Sequence, residues 1–217
     1  MTLKLVGANV VIVAQQFNPS IISQLWLVRN GLLQEDDFRP GCVFSDMVAQ
    51  VNASQFRMLV VPDQCQFSPA VPSDQEQALV VDKVGMIARS LPHTPFRAIG
   101  LNFLWHLDPA DHDVRSVSRD LFFVANSPLY EEFAVQDARF GAYMSKDAFG
   151  GRLKLDVKPL TIQHEGRDEE RIQFAFNFHL DLGNLEDPVG SIEESLHRWN
   201  EVREGSSRIV HLTKREE

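Results

Sequence analysis

Along this chain, runs of β-branched and aromatic residues alternate with segments whose apolar positions recur every three or four residues. Asn9–Gln16 (NVVIVAQQ) reads as a buried strand. Asn18-Pro19 then predicts a helix with an asparagine cap and proline in its first turn. It runs through Ile22, Leu25 and Val28 to a stop at Gly31. Val43–Asn52 and Phe56–Phe67 read as two strands joined over Ala53–Gln55. Ser73-Asp74-Gln75-Glu76 has the form of a capping box, with serine and glutamate each reaching the other's backbone. The helix it opens sets Val80, Val84, Ile87 and Leu91 on one face, and Pro92 ends it.

The rest of the chain repeats this style. Phe96–Leu107 is the next strand, and Asp113 caps a helix through Val117, Leu121 and Val124 that Pro128 stops. Ala138–Ser145, Arg152–Leu160 and Ile172–Leu182 are three further strands. Gly150-Gly151 makes the first connection a hairpin, and the charged run His164–Arg171 makes the second a long exposed one. Asp187-Pro188 opens the last helix, with Val189, Ile192, Leu196, Trp199 and Val202 as its apolar stripe and Gly205 as its end.

Two segments recur in order. Leu25–Asn30 (LWLVRN) matches Leu121–Asn126 (LFFVAN), and Phe56–Pro62 (FRMLVVP) matches Leu153–Pro159 (LKLDVKP) at an offset of 97 residues. Each half then reads strand, helix, strand, strand, long helix, with an extra strand in the second half. The expected fold class is α+β: a duplicated unit covering residues 1–95 and 96–217 of one pseudo-symmetric domain, its antiparallel curved sheet carrying the long helices on one face. In topology this resembles TATA-box-binding-like or helix-grip saddles, a likeness that carries no function with it.

Composition narrows the function classes. In 217 residues, 44% are hydrophobic and 24% charged, as in ordinary globular chains. The net charge is −9, and neither half is basic: residues 1–95 hold six Lys and Arg against eight acids, and the remainder 15 against 22. A tight duplex-DNA binder needs a cationic surplus, so duplex nucleic acid is not the expected partner. No apolar run reaches the ~20 residues of a membrane span. Lys4 and the run Leu5–Ala14 imitate a secretory signal, but Ile12 stands where its cleavage site wants a small residue. With only Cys42 and Cys65, and no Cys-x-x-Cys pair, the expected location is the cytoplasm.

Candidate chemistry clusters in two strands. Asn102-Phe-Leu-Trp-His106-Leu-Asp108 has a shorter echo in Asn177-Phe-His179-Leu-Asp181. Residues two apart on a strand share a face, so His106 projects with Asp108 and His179 with Asp181. On adjoining strands these four could surround a zinc or manganese ion. The plainer reading makes them solvent-side positions of half-buried strands. Asp147 with Asp156 and Lys158 has the spacing of a metal-dependent nuclease core, although Arg152, Lys154, Asp156 and Lys158 also alternate with apolar residues as in any one-side-wet strand. The chain lacks a nucleophile elbow, a phosphate loop, a dinucleotide fingerprint and a zinc-protease helix. No cofactor is expected. The strand aromatics Phe103, Trp105, Phe174, Phe176 and Phe178 read as core packing.

Ile99-Gly100-Leu101-Asn102-Phe103, Ala138-Arg139-Phe140-Gly141 and Asn177-Phe178-His179 resemble motifs of a sporadically distributed, uncharacterised bacterial protein family. The resemblance implies an accessory role of the kind encoded in mobile or defence-associated gene clusters and transfers no catalytic residue. The leading expectation is therefore a non-enzymatic binding or assembly module working through a protein partner or self-association. A metal-dependent hydrolase or nuclease using the His/Asp strand residues is the alternative, and a small-ligand pocket between helices and sheet is a third reading.

Overall fold

The fold is seen in a computed structural model, which describes residues 1–70, 75–110, 112–164 and 166–213. The expected capping serine, Ser73, lies outside the described residues. The strands are β1 (Thr2–Ala14), β2 (Val43–Phe44), β3 (Ala49–Asn52), β4 (Phe56–Val61), β5 (Gln64–Pro69), β6 (Phe96–Asp108), β7 (Ala142–Ala148), β8 (Gly151–His164) and β9 (Arg167–Asp181). The helices are α1 (Gln24–Arg29), α2 (Glu76–Ser90), α3 (Val114–Phe122), α4 (Pro128–Glu132), α5 (Pro188–His197) and α6 (Trp199–His211). Among the described residues the nine strands form one open antiparallel sheet in the order β2-β3-β4-β5-β1-β6-β9-β8-β7. The protein is α+β.

That order has a centre. β1 and β6 lie side by side, paired from Thr2 with Asp108 to Ala14 with Phe96, and each half's remaining strands run outward from its own central strand. β4 and β8 hold the same place, two strands out. They bury Phe56, Met58 and Val60 on one side and Leu153, Leu155 and Val157 on the other, at the 97-residue offset seen in the sequence.

Alternation decides which face is covered. Val10 and Ile12 of β1, Cys65 and Phe67 of β5, Leu101 and Phe103 of β6 and Phe174, Phe176 and Phe178 of β9 join one contiguous core. Leu27 of α1, Val80, Val84 and Ile87 of α2, Val117 of α3 and Ile192, Leu196, Trp199 and Val202 of α5 and α6 complete it. The intervening strand residues face the other way and stay half-exposed. The two halves are also joined across the core: Glu76 is 2% exposed and accepts from Trp199 Nε1 at 3.1 Å, with Arg203 Nη1 3.5 Å away.

Several local expectations need correction. Asn18 caps only a 3-10 turn, Pro19–Ile21; α1 starts afresh behind Ser23, whose Oγ accepts from Trp26 N at 3.2 Å. Val43–Asn52 and Phe56–Phe67 are each two strands. Pro62-Asp63 makes a turn inside the second run, so the extra strand belongs to the first half. Pro128 opens α4 instead of merely stopping a helix, because proline suits a first helical turn. Leu25, 58% exposed in the first turn of α1, and Leu121, half-buried in the last turn of α3, are not equivalent, and Phe123–Asn126 is not helical. The helix half of the sequence match therefore has no structural counterpart.

The charged run is largely strand: β8 reaches His164 and β9 starts at Arg167, and the two stay paired, with Ile162 opposite Glu169 and His164 opposite Arg167. Beyond the end of β6 this ribbon has little to bury, so it needs no apolar residues. Gly205 lies inside α6, which continues to His211; a Cβ there would come within 3.1 Å of the Phe149 ring, so that glycine makes room for packing.

Candidate functional site

The His/Asp cluster does not come together. β6 and β9 are neighbours, but their antiparallel register puts His106 opposite Gln173 and His179 opposite Gly100. His179 therefore stands six residues along β9 from the partner of His106, about 20 Å at ~3.3 Å per residue. One ion with ~2.0–2.1 Å bonds cannot reach both rings. Asp108 pairs with Arg171 at 3.2 Å, and Asp181 accepts from Gly183 N at 2.8 Å. Among the described residues, no group of three or more His, Cys, Asp or Glu is placed to hold a metal ion. The nuclease trio separates in the same way. Asp156 faces Tyr143 and Asp147 faces Arg152, four residues away along β7. Asp147 is engaged by Arg152 at 2.9 Å, and Asp156 by Lys158 at 3.4 Å.

What the register does assemble is a row of asparagines. Asn9 of β1 is opposite Asn102 of β6, and Asn102 is opposite Asn177 of β9. Asn102 Nδ2 donates to Asn9 Oδ1 at 2.8 Å, and Asn177 Nδ2 donates to Asn102 Oδ1 at 2.7 Å. The row crosses the central strands on the uncovered face. It continues outward through Lys154, opposite Asn177, to Ser145. On the other side the pairing of β1 with β5 ends at Val10 opposite Phe67, and one residue beyond it Ser68 stands opposite Arg57, which is opposite Asn52.

The backbone beneath the row is kept low. A Cβ on Gly100 would stand 2.9 Å from Asn177 Nδ2, so only glycine leaves that carboxamide in place. Gly7, next to a bulge in β1, and Ala175 add small floor positions. The result is a trough of two adjoining hollows that share Gly7 and Asn9. One is about 650 Å³, lined by Gln50, Asn52, Arg57, Leu59, Gln66, Ser68 and the carboxylate of Glu76; the other is about 410 Å³, lined by Asn102, Leu104, Tyr143, Lys154, Ala175, Asn177 and Asp156, whose charge Lys158 offsets.

Carboxamides donate and accept but neither titrate nor attack, and among the described residues the ladder has no serine–histidine or cysteine–histidine pair beside it. Cys65 is on the core side, where burial pushes its thiol up to about 12. His106 lies farther down the same face. Burial of its ring lowers its pKa; a hydrogen bond to Gln173 opposes that shift, and the charge of Arg171 adds to it. Its Nε2 is enclosed and has no hydrogen-bond partner among the described residues.

Sequence reasoning passed over the three asparagines. The signal was present, because asparagine is depleted from strand interiors and here occupies the middle of three central ones. A second surface feature surrounds α4, where Leu129, Phe133 and Val135 are exposed beside a cluster of the Phe123, Tyr130 and Phe140 rings, with Arg119 over those of Phe123 and Phe140.

No protein-family model matches this chain, and neither does any curated protein or solved structure. Among the described residues no helix is long and apolar enough to cross a membrane.

Proposed function

We propose that the protein is a non-enzymatic binding or assembly module of a cytoplasmic bacterial accessory system, which holds a protein partner against the uncovered face of its sheet. The observation that carries this reading is the Asn9–Asn102–Asn177 ladder, a hydrogen-bonded polar row across both halves that no helix among the described residues covers. A solvated face needs no such order, since water satisfies isolated side chains equally well.

The module is a duplicated unit with a saddle-like sheet. Supporting this are the outward strand order of each half and the matched burial of β4 and β8. Charge supports a protein partner over duplex nucleic acid. Of the cations that could have gathered on this face, Arg152 and Lys158 are spent on Asp147 and Asp156, and Arg139 is paired with Glu170 at 2.5 Å.

The test is co-expression with the products of the genes beside its own, followed by capture of the wild type, of Ala175→Arg on the trough floor and of Glu201→Arg on α6. Association lost only in Ala175→Arg supports the reading. Association that survives it places the partner elsewhere.

A further inference from the structure

The trough narrows its own occupant, provided that the uncovered face is where a partner binds, as proposed for the asparagine row. Arg57 on β4 and Lys154 on β8 flank the three asparagines of that row, five strand-to-strand steps apart. At ~4.8 Å per step they are about 24 Å from each other. Neither forms an ion pair among the described residues, whereas Asp108, Asp147 and Asp156 on the same face are each held by an Arg or Lys.

Between the two cations the row is uncharged: Ser68, Asn9, Asn102 and Asn177. The ladder leaves hydrogen-bonding capacity unspent, since Asn9 Nδ2 and Asn177 Oδ1 have no partner among the described residues.

We infer that the trough takes an extended polypeptide lying across the strands, with two acidic side chains about seven residues apart and small or polar residues between them. The spacing comes from dividing about 24 Å by the ~3.3 Å rise of an extended chain. The acids meet Arg57 and Lys154, and the backbone between them meets carboxamides that serve both its N–H and its C=O groups.

A single-stranded nucleic acid fits less well. It would set several phosphates over the same span against two free cations, and its bases would find few rings to stack on. Phe103 and Phe176 turn their rings into the core, which leaves Tyr143 as the trough's exposed ring among the described residues.

The experiment is selection of random twelve-residue displayed peptides on the full chain. The winners are then measured against wild type, Arg57→Glu, Lys154→Glu and Ala175→Arg, each shown to be folded by its thermal transition. A labelled ten-nucleotide oligothymidine is titrated in parallel. Peptides with two acids six to eight positions apart, weakened at least tenfold by either charge reversal and lost in Ala175→Arg, support the inference. Peptides lost in Ala175→Arg but indifferent to both charge reversals leave the binding face standing and overturn the acidic-peptide assignment. Winners that ignore all three substitutions, or no winners at all, overturn both. Salt-sensitive oligothymidine binding that exceeds any peptide's replaces the polypeptide with a nucleic acid.

Discussion

The two faces of the same strands obey different rules. On β4, Phe56, Met58 and Val60 enter the core while Arg57, Leu59 and Val61 face out; on β8, Leu153, Leu155 and Val157 enter it while Lys154, Asp156 and Lys158 face out. The inward residues correspond in kind between the halves. Of the outward ones only the cation at Arg57 and Lys154 does. Packing forces the first likeness, since both halves feed one core. Nothing in the core requires the second, and those two cations are the ones that flank the three asparagines.

The covered face should break hardest. Phe176→Ala, in the half formed by residues 96–217, and Phe56→Ala, in the other, each empty a fully buried site and should cost ~3–5 kcal/mol. Either variant should lower the single transition of the whole chain in urea, because β1 and β6 pair along their length. Two separable transitions would show that the halves are independent bodies. Next comes the polar link between the halves. Glu76→Leu removes the buried acceptor of Trp199 Nε1 and the charge beside Arg203, an expected loss of ~3 kcal/mol read from urea midpoints.

On the uncovered face the same kind of truncation should touch binding more than folding. Asn102→Ala deletes the middle rung and should cost only ~1 kcal/mol, yet abolish peptide capture. Gly100→Ala should move the Asn177 carboxamide and weaken capture with an even smaller change in melting temperature. A large stability loss from either would make the ladder structural and blur the contrast between the faces.

The smallest effect belongs to His106. Its folded pKa lies below its unfolded one, so the unfolded chain takes up the proton first, and stability is lost as pH falls from about 6.5 toward the folded value. His106→Gln removes that contribution. Its melting temperature should fall less steeply than the wild type's between pH 7 and pH 5, and parallel curves would show that the enclosed ring contributes nothing.

Much of the covered face was legible in advance. Val80, Val84 and Ile87 at helical spacing and the alternation through Leu153–Val157 fix which side is buried, whatever lies opposite. The errors came where one residue type has two uses. Proline closes one helix or opens another, as Pro128 does; Pro62-Asp63 turns the chain inside a run that reads as one strand; glycine can end a helix or, like Gly205, admit a ring. Charge in 164–171 suggested a loop because strands are recognised by what they bury, and this hairpin buries little.

The sequence by itself determined the α+β class, the burying face of the long strands and of α2, and a net charge poorly suited to a phosphate backbone. Only the tertiary structure decided what sits beside what along that face. A period of two assigns a residue to one side of a sheet and is unchanged by sliding one strand past its neighbour by two residues. Register comes instead from the sum of long-range pairings and core packing. That register carried His106 and His179 apart and brought Asn9 together with Asn102 and Asn177, the first residues of the two echoing segments, in one hydrogen-bonded row.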